Sequence, residues 1–124
     1  MILSAELSTL TAEENKVRTA RLKEYLDQQL LLKYKQTIGG YSGNMEISFI
    51  LEWDNEIADY VLNQYQQECV MKITGKDLAC FLYYNSIKKF KKIGHMHFID
   101  DITELRYCDG WTYDPNNDLY FTVR

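Results

Sequence analysis

The sequence predicts an α+β fold, about three helices packed on a mixed or antiparallel sheet with a β-rich C-terminal third. Three observations carry that expectation. Capping signatures with helix-like apolar spacing occur in the first two thirds, short β-rich runs stand between them, and turn-bounded strands crowd the stretch after Gly94. With 124 residues, 46% of them hydrophobic, 26% charged and one proline, the chain reads as one domain, residues 1–124. A chain of that size buries roughly two thirds of its unfolded surface, so it builds a core without staples.

Thr11-Ala-Glu-Glu14 has capping-box form, and Val17, Ala20, Arg21, Tyr25, Leu26, Leu30 and Leu31 keep a helical period to about Tyr34. Gly39 to Asn44 then reads as a loop, because its glycines accept backbone angles that a helix cannot use. A strand is expected at Met45–Trp53, followed by a helix capped by Asp54 or Asn55 and running to about Gln66. Glu68–Ile73 reads as a short strand. Thr74-Gly-Lys-Asp77 looks like the cap of a third helix reaching about Lys92, with Gly94 placed to stop it. Its first half, Leu78 to Tyr84, has no polar stripe and is expected in the core. Strands follow near Met96–Ile99, Ile102–Cys108, Gly110–Tyr113 and Leu119–Val123, the last two joined by a turn over Asp114–Asp118.

Local motifs argue against several chemistries. Asp114, Asn116 and Asp118 imitate the start of a calcium loop, but Leu119 stands where glycine must turn it. Thr74-Gly-Lys76 is not a phosphate loop, because Asp77 follows the lysine where Ser or Thr is required. Cys69, Cys80 and Cys108 are odd in number and widely spaced, which suits reduced thiols. Met1–Leu7 lacks the form of a leader and no run of 18 apolar residues occurs, so a cytoplasmic protein without membrane contact is expected.

The stretch Ser86–Asp101 is the densest in chemistry. Lys88, Lys89, Lys91 and Lys92 fall on one arc if the segment is helical, the pattern of a wet face near a helix C-terminus. They are also the residues a nucleic-acid-binding module would use, although a net charge of −4 repels phosphates. His95 and His97 share a face if they lie on a strand, and with Asp100, Asp101 and Glu104 they define an alternative reading as a metal-dependent hydrolase or nuclease. No spacing supplies a complete ligand set, so no metal or other cofactor is assigned.

Charge is distributed in blocks. Residues 72–97 carry six basic side chains and one acidic, whereas residues 44–71 carry six acids and no Lys or Arg. Glu56, Asp59 and Asn63 fall on one face of the second helix, next to Trp53 and Tyr60, without a Lys or Arg on that helix to neutralise them. An acidic surface with aromatic anchors suits a basic protein partner. The sequence therefore predicts a non-enzymatic binding protein that uses Glu52, Trp53, Asp54, Glu56, Asp59, Tyr60 and Asn63. Lys88, Lys89, Lys91 and Lys92 offer a second contact or a homodimer interface. In general character such a chain resembles the small acidic inhibitors of phages and mobile elements, anti-CRISPR proteins among them. That resemblance implies occupation of a partner's nucleic-acid-binding surface.

Overall fold

A computed structural model describes residues 1–29, 31–41 and 43–124. In chain order the elements are β1 (Ile2–Leu3), α1 (Ala12–Asp27), β2 (Tyr34–Tyr41), β3 (Asn44–Leu51), α2 (Asn55–Gln64), β4 (Cys69–Ile73), β5 (Ala79–Tyr84) and β6 (Phe90–Ile99). A 3-10 helix (Ile102–Tyr107), β7 (Gly110–Asp114) and β8 (Leu119–Val123) complete them. Every strand pairing is antiparallel, and the strands close into a barrel in the order β1-β3-β2-β7-β8-β6-β5-β4. This replaces the expected α+β arrangement of three helices on a sheet: the fold is mostly sheet, with two α-helices outside the barrel. No helix among the described residues is long and apolar enough to cross a membrane.

The largest departure is the expected third helix, which is the β5–β6 hairpin. An unbroken apolar run carries no period, and its aromatic members Phe81, Tyr83 and Tyr84 favour a pleated surface. The capping signature before it works as a turn instead. Asp77 Oδ1 accepts from the Thr74 hydroxyl (3.1 Å) and the Ala79 N–H (3.4 Å), bonds that serve a turn as readily as a helix cap. The four lysines accordingly lie on the β5–β6 turn and the start of β6, not on a helix.

The first helix also stops early. Its capping box forms as expected, with the Glu14 N–H donating to Thr11 Oγ1 (3.2 Å) and the Thr11 N–H donating to Glu14 Oε1 (3.3 Å). It ends at Asp27, Leu31 takes a positive φ of 63°, and the chain turns into β2, which pairs along β3 from Tyr34↔Leu51 to Tyr41↔Asn44. Leu30 and Ser42, on which parts of the helix and loop expectations fall, lie outside the described residues. Gly39 and Gly40 are strand residues rather than a loop. A Cβ on Gly40 would come within 2.3 Å of Trp111 Nε1, so the glycine lets the indole lie flat on the strand. Ile102–Tyr107, expected as a strand, is the 3-10 helix, with Asp101 Oδ1 accepting from the Thr103 N–H (3.0 Å). The Met45–Trp53 and Glu68–Ile73 strands and the helix capped by Asp54 form close to their expected bounds.

The core has two parts. Leu22 and Leu26 of α1 and Ile57, Ala58, Val61 and Leu62 of α2 pack on the outer wall against Leu3, Phe49, Leu51 and Val70. Cys80, Met96 and Phe121 form the second cluster, with Ile2, Met71, Ile73 and Val123 against them. Alternation along the strands places this second cluster inside the barrel, on the opposite face of β3 and β4 from the helix-covered residues.

Candidate active site

Apart from Ile2 and Ile50 at one end, the residues that β3, β2 and β7 turn inward are polar or glycine, in contrast to the apolar cluster. A Cβ on Gly39 would lie 3.6 Å from Ser48 Oγ and 3.9 Å from Thr112 Oγ1, which places both hydroxyls on the face that Gly39 presents. Gly39 pairs directly with Glu46 and Thr112, and Thr37 with Ser48. Ser4, Thr37, Ser48 and Thr112 are all buried.

Where β1 leaves the sheet, side chains take over from the backbone ladder. The Ser4 hydroxyl donates to the Ile47 carbonyl (2.9 Å), and a Glu6 carboxylate oxygen accepts from the Ile47 N–H. Both side chains therefore reach β3 at Ile47, next to Glu46, which feels the Ser4 hydroxyl and the Glu6 charge. The Gln67 side chain holds the turn after Ser4 by donating to the Glu6 carbonyl (2.9 Å). Arg18 of α1 donates to the Ala5 carbonyl (2.6 Å) and to the Tyr65 carbonyl. Helix α1 thus fixes the segment that carries Glu6.

Burial and a neighbouring negative charge both disfavour the ionised form of a carboxyl group. Burial first, and the Glu6 charge second, push Glu46 up to about 7, while the Ser4 hydroxyl draws it partly back. Burial, with Glu68 and Glu46 adding to it, pushes the nearby Cys69 thiol up to about 11, so it is no nucleophile at neutral pH. The arrangement provides a counter-charge for a cation and a carboxyl able to exchange a proton near neutrality.

The structure disperses the residues singled out from sequence. Asp54 Oδ1 caps α2 by accepting from the Ile57 N–H (3.0 Å), and Tyr60 stacks on Tyr25 with ring centroids 3.8 Å apart. Trp53 packs against Tyr83 and Phe90 (5.6 and 5.3 Å), under the Lys72 ammonium, 5.0 Å from the Trp53 ring centroid. The Asp59 carboxylate accepts from the Tyr83 hydroxyl (3.1 Å) and pairs with Lys88 (3.2 Å). The stripe expected to remain unneutralised therefore meets a cation brought by the β5–β6 turn. Glu52, Glu56 and Asn63 are exposed, as are Lys89, Lys91 and Lys92.

The alternative metal set is also scattered. His95 Nε2 faces Asp77 (3.6 Å), Asp101 caps the 3-10 helix, Glu104 faces Arg124 (3.9 Å), and His97 and Asp100 are exposed. Among the described residues no group of three or more His, Cys, Asp or Glu is arranged to hold a metal. Sequence reasoning counted Glu46 and Glu6 in charge sums without singling them out. The available signal was a glutamate inside the strand-like run Met45–Leu51, on the face opposite the apolar Ile47, Phe49 and Leu51.

A carboxyl raised toward neutrality by burial and by a second carboxylate is a feature that enzyme acid–base sites share with structural acid pairs. The family comparison favours the enzyme: the model of the S-adenosylmethionine lyase family matches residues 1–124, and the chain belongs to that family. No curated protein matches it. Membership points to an enzymatic lyase and overturns the expectation of a non-enzymatic, anti-CRISPR-like inhibitor.

Proposed function

We propose that this protein cleaves S-adenosylmethionine at a carbon–sulfur bond of its sulfonium centre without adding water, using the polar wall around Glu6 and Glu46. The observation that carries the reading is the family match along the full 124 residues. The acid pair supports it chemically. The substrate is a sulfonium cation, and Glu6 supplies a counter-charge for it, held in place by the Ile47 N–H.

In a cleavage at the amino-acid side, the carbon–sulfur bond breaks with its electron pair going to sulfur, which becomes a neutral thioether. The four-carbon fragment then completes its valence either by closing its own carboxylate onto that carbon or by losing a proton from the adjacent carbon. Ring closure needs no proton acceptor. Elimination needs one, and Glu46, with its carboxyl near pH 7, is suited to that work. Either route destroys the charge on sulfur, so the water-poor apolar sector formed by Cys80, Met96 and Phe121 favours it.

The test is to incubate the purified protein with S-adenosylmethionine and weigh the products by mass spectrometry. Fragments whose masses sum to that of the substrate are expected; for elimination Glu46→Gln slows their formation about 100-fold, the lower end for a lost acid–base group, whereas ring closure leaves the rate nearly unchanged. No turnover at all, or the mass of water added at the moment of cleavage, contradicts the reading.

A further inference from the structure

After Leu3 the chain leaves the barrel ladder, and Ala5, Glu6 and Leu7 are held by side chains instead of by a neighbouring strand. Arg18 Nε donates to the Ala5 carbonyl (2.6 Å), the Ser4 hydroxyl accepts from the Glu6 N–H (3.1 Å), and Gln67 Nε2 donates to the Glu6 carbonyl (2.9 Å). Asn15 brackets Leu7, its Oδ1 accepting from the Leu7 N–H and its Nδ2 donating to the Leu7 carbonyl, both at 2.9 Å. Asn15 and Arg18 are three residues apart on α1, so they reach this segment from one face of the helix. The Arg18 guanidinium also donates to the Tyr65 carbonyl and lies over the Tyr65 ring, 5.3 Å from its centroid. One rigid fork thereby ties the Ala5 carbonyl to the end of α2.

We propose that Arg18, with Asn15 and Gln67, forms a positioning clamp that holds the Glu6 carboxylate against β3 next to Glu46; its bearing on catalysis rests on the lyase reading above. A continued β1 would have bonded Ile47 through its backbone. Here the Ser4 hydroxyl and the Glu6 carboxylate take those two places, so a carboxylate is delivered where a ladder would have brought a peptide group. Two carboxylates repel when both are ionised, and a free segment would relieve that by carrying Glu6 into water. The clamp opposes this by fixing the backbone on both sides of Glu6 from two helices.

Of the titratable groups around Glu46, Glu6 comes from the clamped segment and Cys69 from β4. The Cys69 thiol, pushed up to about 11, stays neutral, and Glu68 beside it is exposed. Glu6 is therefore the charge that the clamp controls. None of the clamp residues needs to touch substrate; they act through Glu6.

The experiment is an NMR titration of the Glu46 side-chain carboxyl, assigned with Glu46→Gln, in the full chain and in Arg18→Lys, Arg18→Ala and Gln67→Ala, without substrate. Arg18→Lys keeps the charge and loses the fork. The titration midpoint is expected to fall by about half a pH unit in the Arg18 variants, and less in Gln67→Ala, as Glu6 moves away and water enters. Gln67→Ala, which leaves α1 untouched, serves where Arg18→Ala fails to fold. Midpoints unchanged or raised in folded Arg18→Lys and Gln67→Ala overturn the proposal, as does a wild-type midpoint at the ordinary 4.5. In steady-state kinetics on S-adenosylmethionine, Arg18→Lys is expected to raise KM about fivefold, more than it lowers kcat, because Glu6 offers its charge to a bound cation. If the midpoints fall but the wild-type protein cleaves nothing, the clamp stands and the lyase reading falls. If the wild-type protein cleaves the substrate and the midpoints do not move, the clamp alone falls.

Discussion

The two halves of the barrel interior are built from the same antiparallel ladder and differ almost completely in chemistry. The run β8-β6-β5-β4 contributes Phe121, Val123, Met96, Cys80, Met71 and Ile73, which pack as a core. The run β1-β3-β2-β7 contributes Ser4, Glu6, Glu46, Ser48, Thr37 and Thr112, and one of its carboxyls is driven to about 7 by burial and by its neighbour. The first half holds the barrel closed; the second places polar groups where they are costly unless they serve a purpose. Stability and chemistry should therefore separate by sector when residues are replaced.

The largest expected effect is in the apolar half. Phe121→Ala removes a ring that is 9% exposed and packs edge-on against Phe98 at 6.2 Å, and should cost about 3 to 5 kcal/mol in denaturant unfolding. A loss below about 1 kcal/mol would mean that the interior is loosely packed and the contrast between sectors is overstated.

A smaller effect, opposite in sign, is expected in the polar half. Because Glu46 is raised from 4.5 to about 7 in the folded protein, the folded state binds its proton more tightly than the unfolded chain does. Its stabilising contribution is therefore complete below pH 4.5 and is lost as pH rises toward about 7. Glu46→Gln keeps a neutral group at every pH, so at pH 8 it should stabilise the protein by about 2 kcal/mol and flatten stability between pH 5 and 7. Urea titrations at several pH values check this. Destabilisation at pH 8 would show that the carboxylate is satisfied where it stands and that the site is not strained.

Much of the local structure was legible in the sequence. The Thr11 capping box, the Asp54 cap and the strand expected at Met45–Trp53 and found at Asn44–Leu51 each follow from short-range hydrogen bonding or two-residue alternation, which a single chain displays. Barrel closure was not legible, because it depends on which strands meet across long separations, as in the pairing of Gly40 with Trp111. The β5–β6 hairpin was misread for a related reason: Leu78–Tyr84 is apolar at every position, and the Asp77 turn uses the same hydrogen bonds as a helix cap. The acid pair was hidden because Glu6 and Glu46 are forty residues apart in sequence and come together only where the segment after β1 bonds to Ile47 of β3. The acidic stripe on α2 was visible, but the Lys88 that meets Asp59 arrives from a distant hairpin.

If the cleavage runs by elimination, Glu46 beside Glu6 accepts the proton, and its ionisation must govern the rate. The most direct measurement is kcat/KM for S-adenosylmethionine consumption from pH 5.5 to 9, in the wild-type protein and in Glu46→Gln. If the ionised carboxylate is the active form, the wild-type value should rise about tenfold per pH unit on the acid side, bend near the value of about 7 that burial and Glu6 impose, and level off above it. Glu46→Gln should lose both the bend and most of the activity. A wild-type profile that is flat from pH 6 to 8, or a variant that retains the wild-type rate and bend, would contradict the account.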